Sequence, residues 1–211
     1  MIKVRKIKAL FFDVGGVCLT NGWDETSREK LAQEFNLNFR ETEKIHHTLF
    51  EDFERGEITL EKYIDSVYFP KEQGKYISRQ DIIEFMKNQS KSFESTFEIL
   101  EKLRQNGNYR LATINNESFV LNQFRIEKFG LTRYFNTFFS SCYLRMRKPE
   151  PRIFKTVIHI TQLNPSECLY IDDRKENTEA AHNEGINTIY LPKVEELEEN
   201  LGKFNIKFQQ A

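Results

Sequence analysis

The feature that most constrains this chain is a set of short apolar runs that stop at turn or polar residues, with helical patterns between them. Residues 7–14, Ile-Lys-Ala-Leu-Phe-Phe-Asp-Val, read as a buried strand halted by Gly15-Gly16. Residues 109–114 read the same way and stop at Asn115-Asn116. Cys168-Leu169-Tyr170-Ile171 ends at Asp172-Asp173, and the run at 188–191 is stopped by Pro192. Residues 135–140 make a fifth, shorter candidate. Helical spacing at 95–106, 118–129, 151–162 and 174–184 fills the intervals, with Gly107 and Gly185 as terminators and Pro151 in a first turn. Strands alternating with helices of this length predict an α/β fold with a mainly parallel sheet and helices on both faces.

Residues 21–91 differ in texture. Leu31 and Phe35, Ile45 and Leu49, Tyr63 and Val67, and Ile82 and Met86 fall at helical rather than alternating spacing. The expected organisation is therefore an α/β core made of 1–20 and 92–211, with a helical bundle at 21–91 inserted after the first strand. An insertion so close to a strand end is well placed to act as a lid.

In open parallel sheets ligands bind outside the carboxyl ends of the strands. Asp13, Asn115 and Asp172-Asp173 should therefore converge there, although they lie far apart along the chain. A carboxylate such as Asp13 can act as a nucleophile or bind a cation, and Gly15 and Gly16 let backbone approach a ligand closely. The plain alternative is a strand-to-turn Asp with turn glycines. Lys148, just before a helix, can neutralise phosphate or keep a carboxylate ionised, or it is a solvated charge. Asn115 and Asn116 can donate to phosphate oxygens or cap a helix. Asp172 and Asp173 repel each other unless solvated, protonated or bridged by a cation, and a hard ion such as Mg²⁺ suits them better than a helix-capping role. Asn177 follows four residues after the second Asp. His46, His47, His159 and His182 read as structural or solvent-facing.

Charge and cysteines narrow the classes. Lys+Arg 31 against Asp+Glu 32 gives a net charge of −1, so there is no global field to attract nucleic acid or an anionic membrane. Cys18, Cys142 and Cys168 show no metal-ligand or disulfide spacing, which points to a reducing cytoplasm. The basic residues Lys3, Arg5, Lys6 and Lys8 precede an apolar run as in a signal peptide, but Asp13 interrupts it.

The ordered set Asp-x-Gly-Gly-Val, Asn-Asn, Arg-Lys-Pro and Asp-Asp-x-x-x-Asn resembles the haloacid dehalogenase superfamily over about residues 7–192. The helical insertion after the first motif resembles its branch with a small α-helical cap on a Rossmann-like core. Glu54-Arg55-Gly56-Glu57-Ile58-Thr59 is similar to a cap turn of its sugar-phosphatase-like members, a group that includes α-D-glucose-1-phosphate phosphatases and the N-terminal domains of soluble epoxide hydrolases. The resemblance implies that Asp13 is a nucleophile forming an aspartyl-phosphate. It implies Mg²⁺ held by Asp13, the Gly15 carbonyl and Asp173, with Asp172 close by. It implies that Lys148 stabilises nucleophile and phosphate, and that the substrate is a small phosphate ester such as a sugar phosphate. Two positions depart from the pattern. Gly15 stands where most family phosphatases carry a second Asp as general acid and base, and Asn115 stands where Ser or Thr is usual. These departures keep two other functions in view, a catalytically weak or inactive binding protein and a 2-haloacid dehalogenase. Oligomeric state and the role of residues 202–211 are left open by the sequence.

Overall fold

A computed structural model describes residues 6–69 and 77–208. Five strands, β1 (Ala9–Phe12), β2 (Arg110–Asn115), β3 (Thr137–Ser140), β4 (Cys168–Asp172) and β5 (Asn187–Tyr190), form one sheet in the order β3-β2-β1-β4-β5. Every pairing is parallel, so the sheet is more regular than the mainly parallel one expected. The first strand is shorter than the apolar run that announces it. Ala9–Phe12 form the paired register; Asp13 still donates its backbone N–H to Ile171 O at 2.9 Å, and Val14 opens the turn that follows.

A parallel sheet needs cover on both faces. Alternation along β1 sends Leu10 and Phe12 to one face, where they meet Ile99, Leu100 and Leu103 of α5 (Glu94–Asn106) and Leu197 and Leu201 of α10 (Leu197–Lys203). Ala9 and Phe11 go to the other face, against Ile153, Phe154 and Val157 of α8 (Pro151–Thr161) and Ala181 of α9 (Lys175–Asn183). The three α8 side chains are fully buried, and each contributes about 1.5–3 kcal/mol through the apolar area it removes from water. α5 ends at Gly107 with φ +67°, a left-handed position that glycine adopts without strain. Helices α6 (Phe119–Lys128) and α7 (Ser141–Leu144) follow β2 and β3.

Between β1 and α5 the described residues form four helices: α1 (Glu25–Glu34), α2 (Phe39–Glu54), α3 (Leu60–Tyr68) and α4 (Arg79–Asn88). They bury a separate cluster around Leu31, Phe53, Tyr63, Ile64 and Ile82. Asp24, Asn38, Thr59 and Ser78 each cap a helix by accepting a backbone N–H, which explains where the four begin. The segments entering and leaving this bundle run together: Thr20 N donates to Lys91 O at 2.8 Å, and Lys91 N donates to Thr20 Oγ1 at 3.0 Å.

After α10 the chain turns at Phe204 and Asn205 and forms no strand through Phe208. Lys3, Arg5 and the last three residues of the open C-terminal segment lie outside the described residues. All three cysteines are buried and free. No helix among the described residues is long and apolar enough to cross a membrane.

Candidate active site

The carboxyl ends of β1, β2 and β4 bring the predicted residues together. Lys148 is the hub. Its Nζ lies 2.8 Å from Asp13 Oδ1 and 2.8 Å from Asp172 Oδ2, and the residue is 2% exposed. Burial alone would push the Lys148 pKa down, but the two carboxylates outweigh it and the ammonium is held charged. Asn116 fixes the backbone of this lysine: its Nδ2 donates to Lys148 O at 2.9 Å and its Oδ1 accepts Lys148 N at 2.8 Å.

The three carboxylates are not equivalent. Asp172 accepts from Lys148, Tyr170 Oη, Arg174 N and Asn177 Nδ2, and it is fully buried. Burial would raise its pKa, yet Lys148 and the other donors hold it below the ordinary carboxylate range. Asp13 accepts Val14 N at 2.7 Å and Lys148, both on Oδ1. No donor among the described residues is found on its Oδ2. Burial pushes Asp13 up, and Asp172 and Asp173 add to this against the pull of Lys148. Asp173 is raised for the same reasons, burial first and Asp172 next. Its Oδ1 is buried and has no hydrogen-bond partner among the described residues.

Carboxylate oxygens of Asp13, Asp172 and Asp173 lie within 4.8 Å of one another. Clustered carboxylates, two of them pushed towards the neutral form, and one orphaned buried oxygen together fit a hard divalent cation with oxygen ligands. The donor set favours Asp13 and Asp173 as its direct ligands. Asp172, also predicted as a metal ligand, belongs to the same cluster, and both of its oxygens accept hydrogen bonds, one of them from Lys148. Its Oδ1 bond to Arg174 N is a turn contact, and α9 has no side-chain cap.

Gly15 lines the cleft, while Gly16, at φ +76°, lies against the Asp173 carboxylate, where any Cβ would collide with it. Asn177 also lines the cleft. Asn115 does not. Its Nδ2 donates to Asn122 Oδ1 at 3.0 Å and its Oδ1 accepts from Ser140 Oγ at 2.9 Å, so the side chain is spent inside the fold. The expectation that Asn115 binds phosphate is corrected accordingly. Alternation along β2 is the reason, since it carries Asn115 to the face of Leu111 and leaves Asn116 at the cleft.

The cleft is about 260 Å³, at the small end for ligand pockets. Its far wall comes from the segment between β1 and α5, chiefly Trp23 ahead of α1 and His46, His47, Phe50 and Phe53 of α2. The place of the insertion just after the first strand pointed to a cover here, but nothing in the sequence singled out these side chains. A buried chain of polar groups stiffens it. Trp23 Nε1 donates to Tyr63 Oη at 3.0 Å, and His46 Nδ1 lies 2.8 Å from the same oxygen. Arg28 grips Glu43 through two bonds of 2.6 and 2.8 Å and donates to Trp23 O. His46 is thus structural, as expected, but it also borders the cleft. Arg125, buried between Glu117 at 2.7 Å and Ser90 Oγ at 3.1 Å, ties the exit segment of the bundle to the loop after β2. The turn at Glu54-Arg55-Gly56 docks beside Lys148. Arg147 pairs with Glu54 at 2.6 Å and lies over the Phe50 ring at 4.9 Å, while Arg55 pairs with Glu150 at 2.6 Å.

Residues 7–185 match the haloacid dehalogenase-like hydrolases. The chain belongs to that family. It is 23% identical over 207 residues to flavin mononucleotide hydrolase 1 of Arabidopsis thaliana, covering 96% of this chain and 79% of that protein. It is 26% identical over 197 residues to a D-ribitol-5-phosphate phosphatase of Bacteroides thetaiotaomicron, covering 86% and 90%. A crystal structure of a family enzyme from Bacteroides thetaiotaomicron, a magnesium complex, superposes with a TM-score of 0.75 at 26% identity, covering 88% of this chain and 93% of that one. Family membership makes this haloacid dehalogenase-like protein a hydrolase.

Proposed function

We propose that this hydrolase is a Mg²⁺-dependent phosphomonoesterase of small phosphorylated metabolites, working through an aspartyl-phosphate on Asp13. The observation that carries the reading is Lys148 bridging Asp13 and Asp172 while one buried oxygen of the adjacent Asp173 has no partner. Two relatives whose names are those of phosphate-ester hydrolases support it. So does the magnesium bound by the family enzyme of similar structure.

Asp13 and Asp173 would hold Mg²⁺, with the Gly15 carbonyl as a third ligand from the protein. When bound, the ion supplies positive charge against the phosphoryl oxygens. Lys148 draws Asp13 towards the ionised form against the burial that raises it, and adds charge of its own on the phosphate side. Asp172 holds Lys148 in place, and Asn177 and Tyr170 hold Asp172. The carboxylate oxygen of Asp13 attacks phosphorus, the P–O bond to the alcohol breaks, and the alcohol leaves with that electron pair. Water then attacks phosphorus, the bond to Asp13 breaks, and inorganic phosphate departs. Gly15 offers no acid to protonate the leaving oxygen, so the proton comes from solvent.

Residues 21–91 serve as a lid over residues 1–20 and 92–211 in this reading. The paired charges and aromatic faces of the lid, in a cleft of about 260 Å³, suit an uncharged polar body such as a phosphorylated polyol or sugar. Trapping tests the intermediate. The protein is mixed with Mg²⁺ and ³²P-labelled acetyl phosphate and quenched in acid. Hydroxylamine-labile label that maps to Asp13 and is missing from Asp13→Asn supports the mechanism. Turnover of acetyl phosphate without labelled protein, by an enzyme whose Asp13→Asn variant is equally active, overturns it.

A further inference from the structure

The turn after β1 doubles back on itself. Cys18 N and Leu19 N both donate to Val14 O, at 3.0 and 2.8 Å, and Gly16 N donates to Leu19 O at 2.7 Å. This return brings Asn21 over Gly15, where both line the cleft. A Cβ placed on Gly15 would sit 2.7 Å from Asn21 Oδ1, closer than real Cβ atoms approach. The other end of the same amide, Nδ2, donates to Asp173 Oδ2 at 3.3 Å. The second oxygen of Asp173, Oδ1, is the buried one without a partner.

We propose that Asn21 is a positioning residue, its amide filling the space above Gly15 and holding one oxygen of Asp173 so that the other faces the cation. The inference rests on the reading of Asp13 and Asp173 as a Mg²⁺ site, and it goes beyond that reading by explaining the missing side chain at position 15. Gly15 and Asn21 form one device. An acidic side chain at 15 would have to displace the amide, and with it the hold on Asp173. A neutral amide suits the place, because another carboxylate there would add to the three already crowded within 4.8 Å. Groups that orient a metal ligand typically carry 10–100-fold of metal affinity.

The test is a double-mutant cycle on Mg²⁺ binding, read by calorimetric titration with Mg²⁺ alone and by the Mg²⁺-dependent rise in melting temperature. Asn21→Ala removes the donor, and Gly15→Ala pushes it aside. Each is expected to weaken Mg²⁺ binding roughly tenfold, with the melting temperature in chelator unchanged. Gly15→Ala/Asn21→Ala is also expected to stay near tenfold, because the methyl then has nothing to displace. Asn21→Ala binding Mg²⁺ as tightly as wild type overturns the inference, as do two single losses that multiply to roughly a hundredfold in the double variant. A wild type that binds no Mg²⁺ overturns the cation-site reading itself, and this inference with it.

Discussion

Lys148→Met isolates the charge balance on which the site depends. The methionine keeps most of the side-chain volume and removes an ammonium that lies 2.8 Å from each of two buried carboxylates. Removing one partner from a buried ion pair typically costs about 3–5 kcal/mol, because the other charge is left unpaired. Burial, with Asp172 and Asp173, already raises Asp13 to about 8 against the pull of Lys148, and without the lysine its proton is held more firmly, so no unpaired charge is left on Asp13. That relief sets the expected loss at the lower end, about 3 kcal/mol. For a chain of 211 residues this is a fall in melting temperature of roughly 6–12 °C at ~2–4 °C per kcal/mol. A protonated Asp13 cannot attack, so turnover of an aryl phosphate should fall at least ~10²–10³-fold. Calorimetry in chelator and a colorimetric assay in Mg²⁺ read the two effects separately. A melting temperature within about 2 °C of wild type, together with turnover within about tenfold, would refute the account of Lys148 as the bridge.

Three further outcomes follow from particular side chains. Burial, with Arg28 beside it, depresses His46 to about 4 from its ordinary 6.5. A base with a folded pKa below its unfolded one contributes stability above about 6.5 that is lost as pH falls towards 4. Urea unfolding should therefore show about 2 kcal/mol less stability at pH 5 than at pH 7 from this group, a slope missing from His46→Gln. With no acid at position 15, rate should depend steeply on the leaving group, aryl phosphates exceeding alkyl ones by about 10²–10⁴-fold in kcat/KM; a flat series would mean that another acid protonates the alcohol. Gly16→Ala forces a side chain into a left-handed backbone position and against Asp173. The backbone cost is about 1–2 kcal/mol, and Mg²⁺ titration should show roughly 10–100-fold weaker binding.

The strands and their polar ends were legible because burial on both faces of a parallel sheet demands short apolar runs, and because function gathers where those runs stop. The helical texture of 21–91 was legible through its spacing. Other features had no local signature. Asp172 and Asp173 look alike in sequence, and only the third dimension shows that one is filled by donors while the other keeps an orphaned oxygen. Asn115 and Asn116 differ by one step of strand alternation, which decides that the first is spent on Asn122 and Ser140. Arg125 meets Ser90 from 35 positions away, and Asn21 meets Asp173 across 152, so neither pairing leaves a pattern in any window of sequence. Gly15 was legible as a departure, but its reason lay in the residue that folds back over it.

The central claim is that Asp13 carries the phosphoryl group in a Mg²⁺-dependent reaction. Phosphate release from a panel of sugar phosphates, polyol phosphates, nucleotides and a generic aryl phosphate tests it most directly, run with Mg²⁺, with chelator and with Asp13→Asn, and with halide release from a 2-haloacid read alongside. The account predicts release from at least one small phosphate ester that needs Mg²⁺ and disappears in Asp13→Asn. Folded wild-type protein that releases no phosphate above the Asp13→Asn background across the whole panel would contradict it, and would turn the same cleft into a binding site.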